Sequence, residues 1–252
     1  MLEVSGLSVE VGGKRVLDDV NLEVPKGEVH VLFGPNGSGK SSLIMSVLGF
    51  PAYRVVSGDI RFKGKDITHL PINERVKLGI GVSFQNPPAI RGVKLKDVLR
   101  RLVSDKDEKD IKVHELAETI NFPLGLMERD INLGFSGGEV KKSEVLQVLA
   151  QNADFVMFDE PDSGVDVENL QIIGRAINKM LKGRSALLIT HLGYILHYVD
   201  ADKAHVLLDG TIACSGNPSK ILSQILNEGY AWCEKCPVAR RELCKPETNP
   251  QL

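Results

Sequence analysis

The run Gly34-Pro35-Asn36-Gly37-Ser38-Gly39-Lys40-Ser41, followed by Ser42, has the spacing G-x-x-x-x-G-K-[ST]. Glycines at these places let backbone N–H groups converge on phosphate oxygens, and a helix opening at Lys40 adds its positive end. Lys40 is then placed to reach the β- and γ-phosphates of a nucleotide, and the Ser41 hydroxyl to coordinate Mg²⁺. A glycine-rich turn by itself would do none of this. Here the β-branched apolar run Val29–Phe33 precedes the loop, and Leu43, Ile44, Val47 and Leu48 follow it at helical spacing. A second run, Phe155-Val156-Met157-Phe158-Asp159-Glu160, reads as a buried strand ending in two carboxylates. Behind a phosphate loop, Asp159 is expected to hold Mg²⁺ through water, and Glu160 to orient or deprotonate the attacking water. A third run, Ser136-Gly137-Gly138-Glu139, is a capping box for the apolar-striped segment after it. Two glycines in a first helical turn cost on the order of 1 kcal/mol each relative to alanine. That expense has a purpose if backbone N–H groups there must approach a phosphate closely.

Cysteine supplies a fourth pattern. Cys233-x-x-Cys236 with Cys244 seven residues on could bring three thiolates to zinc or to an iron–sulfur cluster, a fourth ligand coming from Cys214, a histidine, a partner chain or solvent. Plain reduced thiols are the other reading, and the spacing does not choose between them.

The elements that must hold these groups follow from hydrophobic period. Leu7–Val11 and Leu22–Val24 alternate as strands around Gly12-Gly13, and Ala153–Asp159 and Ser185–Thr190 read as buried strands flanking a helix over Glu168–Leu181. Val98, Leu99, Leu102 and Val103, then Val113, Leu116, Ala117 and Ile120, give two helical stripes separated by the mixed-charge run Asp105–Asp110. Ala204–Leu208 and Thr211–Cys214 pair across Asp209-Gly210, and Asn217-Pro218 opens a last helix that Gly229 closes. Strand, glycine loop and helix make this an α/β protein.

Composition narrows the class. The chain has 252 residues, and 31 Lys+Arg against 33 Asp+Glu gives 31 − 33 = −2. A broad nucleic-acid footprint would need a basic excess, so no nucleic-acid partner is expected. No apolar run reaches the 18 or so residues of a membrane span, and Met1–Ser5 does not open a secretory signal. The expectation is a cytoplasmic protein with no direct membrane insertion.

Phe135-Ser136-Gly137-Gly138-Glu139 resembles the signature loop of ABC-family ATPases, normally leucine-Ser-Gly-Gly-Gln. With that resemblance, Gln85 matches the family's Q-loop, Ser163-Gly164-Val165-Asp166 its D-loop, and His191 after Leu187–Thr190 its switch histidine. Six motifs stand in the family's order, over about residues 2–232. The resemblance implies an ABC-type P-loop NTPase fold: an ATPase core over 1–86 and 134–232 with an antiparallel β subdomain, a helical subdomain over 87–133, and a Cys-containing tail over 233–252. It also implies ATP hydrolysis with Mg²⁺ in a transient ATP-dependent homodimer. Gly34 to Ser42 would bind the nucleotide, and Ser41, Gln85 and Asp159 the Mg²⁺. Glu160, Gln85 and His191 would be catalytic. Ser136, Gly137, Gly138 and Glu139 of the opposite protomer would complete the γ-phosphate site, with Asp166 communicating across the interface.

Within the family three classes compete. Repair ATPases carry long coiled-coil insertions and translation factors carry two cassettes, and this chain has neither. The segment Asn132–Gln147, with Glu139, Lys141-Lys142 and Glu144-Val145-Leu146-Gln147, is similar to SufC, the iron–sulfur cluster assembly ATPase. Transporter subunits more often have Gln-x-Gln-Arg there. Asp162-Ser163-Gly164-Val165-Asp166 and Glu228-Gly229-Tyr230-Ala231-Trp232 also look like SufC. Pro161, where SufC usually has Ser, and the cysteine tail depart from it, giving an archaeal-like form. The resemblance implies a SufB/SufD-type scaffold as partner, docked on Asn86–Val93 and the helical insertion. The alternative is the nucleotide-binding subunit of an ABC membrane transporter.

Overall fold

The computed structural model describes residues 1–103, 108–191 and 193–235. Along the chain run β1 (Leu2–Val11), β2 (Lys14–Val24), β3 (Val29–Phe33), α1 (Lys40–Leu48), β4 (Arg54–Phe62), β5 (Lys65–Asp66), α2 (Ile72–Lys77), β6 (Ile80–Ser83) and β7 (Ile90–Lys94). Then come α3 (Leu95–Leu102), α4 (Lys109–Thr119), α5 (Leu124–Met127), β8 (Asp130–Ile131), α6 (Gly137–Gln151), β9 (Phe155–Asp159), α7 (Val167–Met180) and β10 (Ser185–Ile189). The last elements are β11 (Lys203–Leu208), β12 (Thr211–Gly216), α8 (Pro218–Glu228) and α9 (Ala231–Lys235). This is a mixed α/β architecture. The chain divides into two units, Met1–Arg75 with the segment from Ala201 onward, and Val76–Asp200.

In the first unit β1 pairs antiparallel with both β2 and β4, and β5 extends the sheet beyond β4. One face is the alternation Leu2, Val4, Leu7, Val9 set against Leu17, Val20, Leu22 and Val24, all buried. A second layer runs β3 parallel to β11, with β12 antiparallel to β11. Every residue of β3 is buried, which explains why its sequence is continuously apolar apart from His30. Helix α1 packs on β2 and β4, α8 on β11, and α9 on β12 and α8. The Asn217 side chain accepts the Lys220 N–H with Pro218 in the first turn of α8, as the sequence predicts.

In the second unit β9 lies between β6 and β10, all parallel. Helix α6 packs on β6 and against α3, α4 and α7. The two helical stripes form α3 and α4. Of the mixed-charge run, Lys109 and Asp110 already belong to α4, and 105–107 lie outside the described residues. Among the described residues no helix is long and apolar enough to cross a membrane.

Candidate active site

The phosphate loop leaves the carboxyl end of β3, and its backbone is pressed against the neighbouring strand. A Cβ on Gly34 would stand 2.4 Å from the Leu207 carbonyl oxygen and 2.6 Å from Ser38 Oγ, so no side chain fits there. Lys40 is buried, and its ammonium donates to the carbonyls of Gly34 (2.8 Å) and Pro35 (2.9 Å). Those bonds hold the cation inside the curl of the loop. Ser38 Oγ is buried without a hydrogen-bond partner among the described residues. No side chain caps the first turn of α1, where Gly39 occupies the N-cap in a left-handed conformation. A loop with an orphaned hydroxyl, a lysine on its own carbonyls and an uncapped helix start is built for an anion that the protein does not itself supply. Ser41 and Ser42, one and two residues into α1, are half-buried beside it.

In the second unit the parallel register aligns three strand ends. Ser83 sits opposite Phe158, and Ile189 opposite Asp159. The residues that follow, Gln85, Glu160 and His191, therefore leave the same edge of these strands. Asp159 is 3% exposed at the end of β9. Glu160 takes a left-handed backbone with φ 49°, unusual for a non-glycine residue and expected where a functional side chain is being aimed. Gln85 Nε2 donates to Glu160 Oε2 at 2.5 Å. His191 is exposed, while Thr190 before it donates to Asp162 at 2.6 Å and accepts the Gly193 N–H at 2.9 Å, which fixes the turn.

Lys141, which sequence reasoning had only as part of a run, ties these pieces together. Its buried ammonium donates to the backbone carbonyls of Gln85 (2.8 Å) and Glu160 (2.9 Å). Burial lowers its pKa, against the opposing pull of Asp159, Glu144 and Glu160. One helical residue thus fixes the start of the Gln85 loop and the carboxyl end of β9. No local signal marks it, because its partners lie 56 and 19 residues away. Glu144 on the same helix accepts the Phe84 N–H at 3.2 Å, and burial raises its pKa.

The capping box is present as read. Ser136 Oγ accepts the Glu139 N–H, and the Glu139 carboxylate accepts the Ser136 N–H at 2.7 Å. That backbone bond holds Glu139 below the usual carboxylate range. Gly137 lies beside Gly164, and a Cβ on Gly138 would press on the Asn169 amide at 3.1 Å. Asp166 caps α7 by accepting from Asn169 N–H (2.8 Å) and Nδ2 (2.7 Å), which lowers its pKa.

Of the cysteine pattern, only Cys233 and Cys214 fall among the described residues. Cys233 is buried in α9, and its Sγ lies 3.6 Å from Sγ of Cys214, on β12. Cys236 and Cys244 lie outside the described residues. Among the described residues, no group of three or more His, Cys, Asp or Glu is placed to hold a metal ion.

A loop opened by a glycine lodged under a neighbouring carbonyl, and closed by a lysine at a helix start, defines the P-loop nucleotide-binding class. Within that class the chain belongs to the ABC ATPase family: the family described as ABC transporter matches residues 17–163. It is 36% identical over 244 residues to a probable ATP-dependent transporter, ycf16, of Trieres chinensis, covering 92% of this chain and 97% of that one. Vegetative protein 296 of Bacillus subtilis (strain 168) is 35% identical over 244 residues, at 93% of both chains. Among solved structures, a nucleotide-free ATP-binding cassette from an ABC transporter superposes with TM-score 0.76 at 26% identity, covering 93% of this chain and 98% of the other. A dimeric cassette bound to ADP and Pi shares the fold at TM-score 0.75 and 19% identity, over 86% of this chain and 98% of that one.

Proposed function

We propose that the chain is an ATP-hydrolysing ABC subunit that energises iron–sulfur cluster assembly on a SufB/SufD-type scaffold, through ATP-dependent pairing of two copies. The observation that carries this reading is the Lys141 clasp. It comes from the Glu139-Val140-Lys141-Lys142 run that is similar to SufC, and it sets the backbone of both Gln85 and Glu160.

In this reading Lys40 transfers its donors from the Gly34 and Pro35 carbonyls to phosphate oxygens. The Gly34–Ser42 backbone holds the β-phosphate, and Ser38 Oγ gains the partner it lacks. Ser41, Gln85 and Asp159 offer hard oxygen donors, the set that suits Mg²⁺. When bound, that ion neutralises charge building on the transferred phosphoryl group. Glu160 accepts the proton of the attacking water once Gln85 releases its carboxylate, and His191 contacts the γ-phosphate. Ser136, Gly137, Gly138 and Glu139 of the second copy complete the site, and Asp166 follows their position through α7. Positioning and charge neutralisation are what a loose phosphoryl transition state needs, so hydrolysis becomes conditional on pairing.

The docking face is the segment after Gln85 with the helical subdomain of 87–133. Strand β7 is exposed along its whole length and presents Ile90 and Val93 to solvent, which supports a protein partner there. A second reading, the nucleotide-binding subunit of a membrane transporter, draws on the ycf16 relative, described as a probable ATP-dependent transporter.

Affinity purification of the tagged chain from its own cells separates the two. Recovery of a coloured, iron-containing scaffold without detergent supports the first. A polytopic membrane permease in its place would overturn it.

A further inference from the structure

Tyr230 immediately precedes α9, and its hydroxyl accepts the N–H of Gly34, the first residue of the phosphate loop, at 3.2 Å. The Cys233 N–H donates to the Tyr230 carbonyl at 3.0 Å, so the tyrosine and the cysteine move as one turn. The far side of that turn rests on β12 through the Cys233–Cys214 sulfur contact of 3.6 Å. Between them, the buried indole N–H of Trp232 has no hydrogen-bond partner among the described residues. A covalent link at the sulfur contact would change how firmly Tyr230 is held.

Cys214 lines an open groove of about 760 Å³, together with Glu3, Asp19, Lys203, His205 and Ser215. Both thiols are buried, Cys214 at 6% and Cys233 at 1% exposure. Of the two residues, Cys214 is the one that borders this groove.

We propose that Cys214 and Cys233 are a redox modification site: they form a reversible disulfide that locks α9 on β12 and fixes Tyr230 at the root of the phosphate loop. The oxidant class is a peroxide. The Cys214 thiolate attacks one peroxide oxygen; an S–O bond forms, the O–O bond breaks, and the departing hydroxide takes up a proton to become water. The Cys233 thiolate then attacks the Cys214 sulfur; the S–S bond forms, the S–O bond breaks, and the second hydroxide leaves as water. Two thiols and one hydrogen peroxide become one disulfide and two waters, with two electrons passing from sulfur to oxygen. A dithiol reverses the reaction by exchange. A disulfide S–S bond is about 2.05 Å, so the sulfurs close by only about 1.5 Å, within the reach of side-chain rotation.

The full chain, purified in dithiothreitol, is exchanged into buffer, treated with hydrogen peroxide, alkylated, digested and read by mass spectrometry. The expected product has lost the mass of two hydrogen atoms and yields one peptide pair joining Cys214 to Cys233, which dithiothreitol splits. Amide exchange over α9 and at Gly34 slows by at least about tenfold in the oxidised protein, since closing a loop of this size commonly stabilises by more than that factor. Cys233→Ala and Cys214→Ala, each checked by circular dichroism, lose both signals; Cys233→Ser serves in place of a variant that does not fold. A peptide pair joining Cys233 to Cys236 would overturn the proposal. So would Cys214 recovered only as sulfinic acid, or stoichiometric zinc that protects both thiols and is lost in Cys214→Ala.

Discussion

At the scale of single residues, the catalytic reading of Glu160 rests on more than its place after a buried strand. Its carbonyl is held by Lys141, its carboxylate by Gln85, and its backbone sits in a left-handed conformation. The acid was legible in the sequence because an apolar run ending in two carboxylates behind a phosphate loop is a strong pattern. The Lys141 clasp was not, since nothing in a stretch of helix shows which carbonyls a long side chain will reach. The buried histidines escaped for the same reason. His205 lies on β11 and His30 on β3, and the parallel register brings their rings into a hydrogen bond of 3.0 Å. His30 Nε2 bonds the Glu28 carboxylate at 2.7 Å, and His205 Nδ1 bonds Ser215 Oγ at 2.6 Å. Every group is satisfied if both rings are neutral: Ser215 donates to His205, His205 to His30, and His30 to Glu28. Burial lowers the pKa of His30 and pushes that of His205 down to about 3. In the unfolded chain a histidine titrates near 6.5. Between those values the unfolded state binds the extra proton, so stability is fully present above about pH 6.5 and falls as the pH drops toward about 3. His205→Gln should therefore flatten the acid side of the stability curve by about 1.4 kcal/mol per pH unit between roughly pH 6 and 4, one proton's worth. Urea unfolding at several pH values reads this directly. Parallel curves for the two proteins would show that His205 already binds its proton when folded.

At the scale of elements, the patterns that survived from sequence to structure are those with a clean period and a cap. Helices α6, α7 and α8 each start at a side-chain cap, at Ser136, Asp166 and Asn217. Strand β4 was missed, and β1 was recognised only from Leu7, although it begins at Leu2. The cause is a bulge. Both strands carry a glycine with positive φ, Gly6 and Gly58, and a Cβ on Gly58 would lie 2.3 Å from the Gly6 carbonyl oxygen. The register shifts between Ser5 and Ser8. Alternation breaks at that point, and a period-two reading stops where the sheet continues. The C-terminal end of α1 shows another arrangement without a sequence signature. The Arg75 guanidinium is buried and donates to the carbonyls of Ser46 and Val47, at 2.8 Å each, and to those of Leu70 and Thr68. Burial costs it enough to lower its pKa to about 10, so the four bonds are partly spent on desolvation. Arg75→Met removes one donor from each of four carbonyls and should destabilise the protein by about 2–4 kcal/mol. Chemical denaturation would reveal it as a lowered midpoint at constant slope. A loss under about 0.5 kcal/mol, typical of a surface position, would mean that water or relaxation replaces the bonds.

At the scale of the whole molecule, the family and the mixed α/β fold were legible because six short motifs keep their order, and order survives where single residues mean little. What those motifs do together was less legible. In this structure Lys40 rests on its own loop's carbonyls and Glu160 rests on Gln85, so two groups central to the proposed chemistry are engaged elsewhere. In the proposed chemistry both are released as ATP is bound and cut.

The direct test is Glu160→Gln. An amide keeps the shape of the side chain and its contact with Gln85 but cannot take the proton of the attacking water. Size-exclusion chromatography of the variant in Mg-ATP, with the bound nucleotide identified afterwards, reads both halves of the claim at once. The account predicts a stable dimer retaining uncleaved ATP, and a hydrolysis rate lowered by about 10²-fold or more, the scale of a lost general base. A variant that turns over ATP at the wild-type rate, or that stays monomeric with ATP bound, would contradict it.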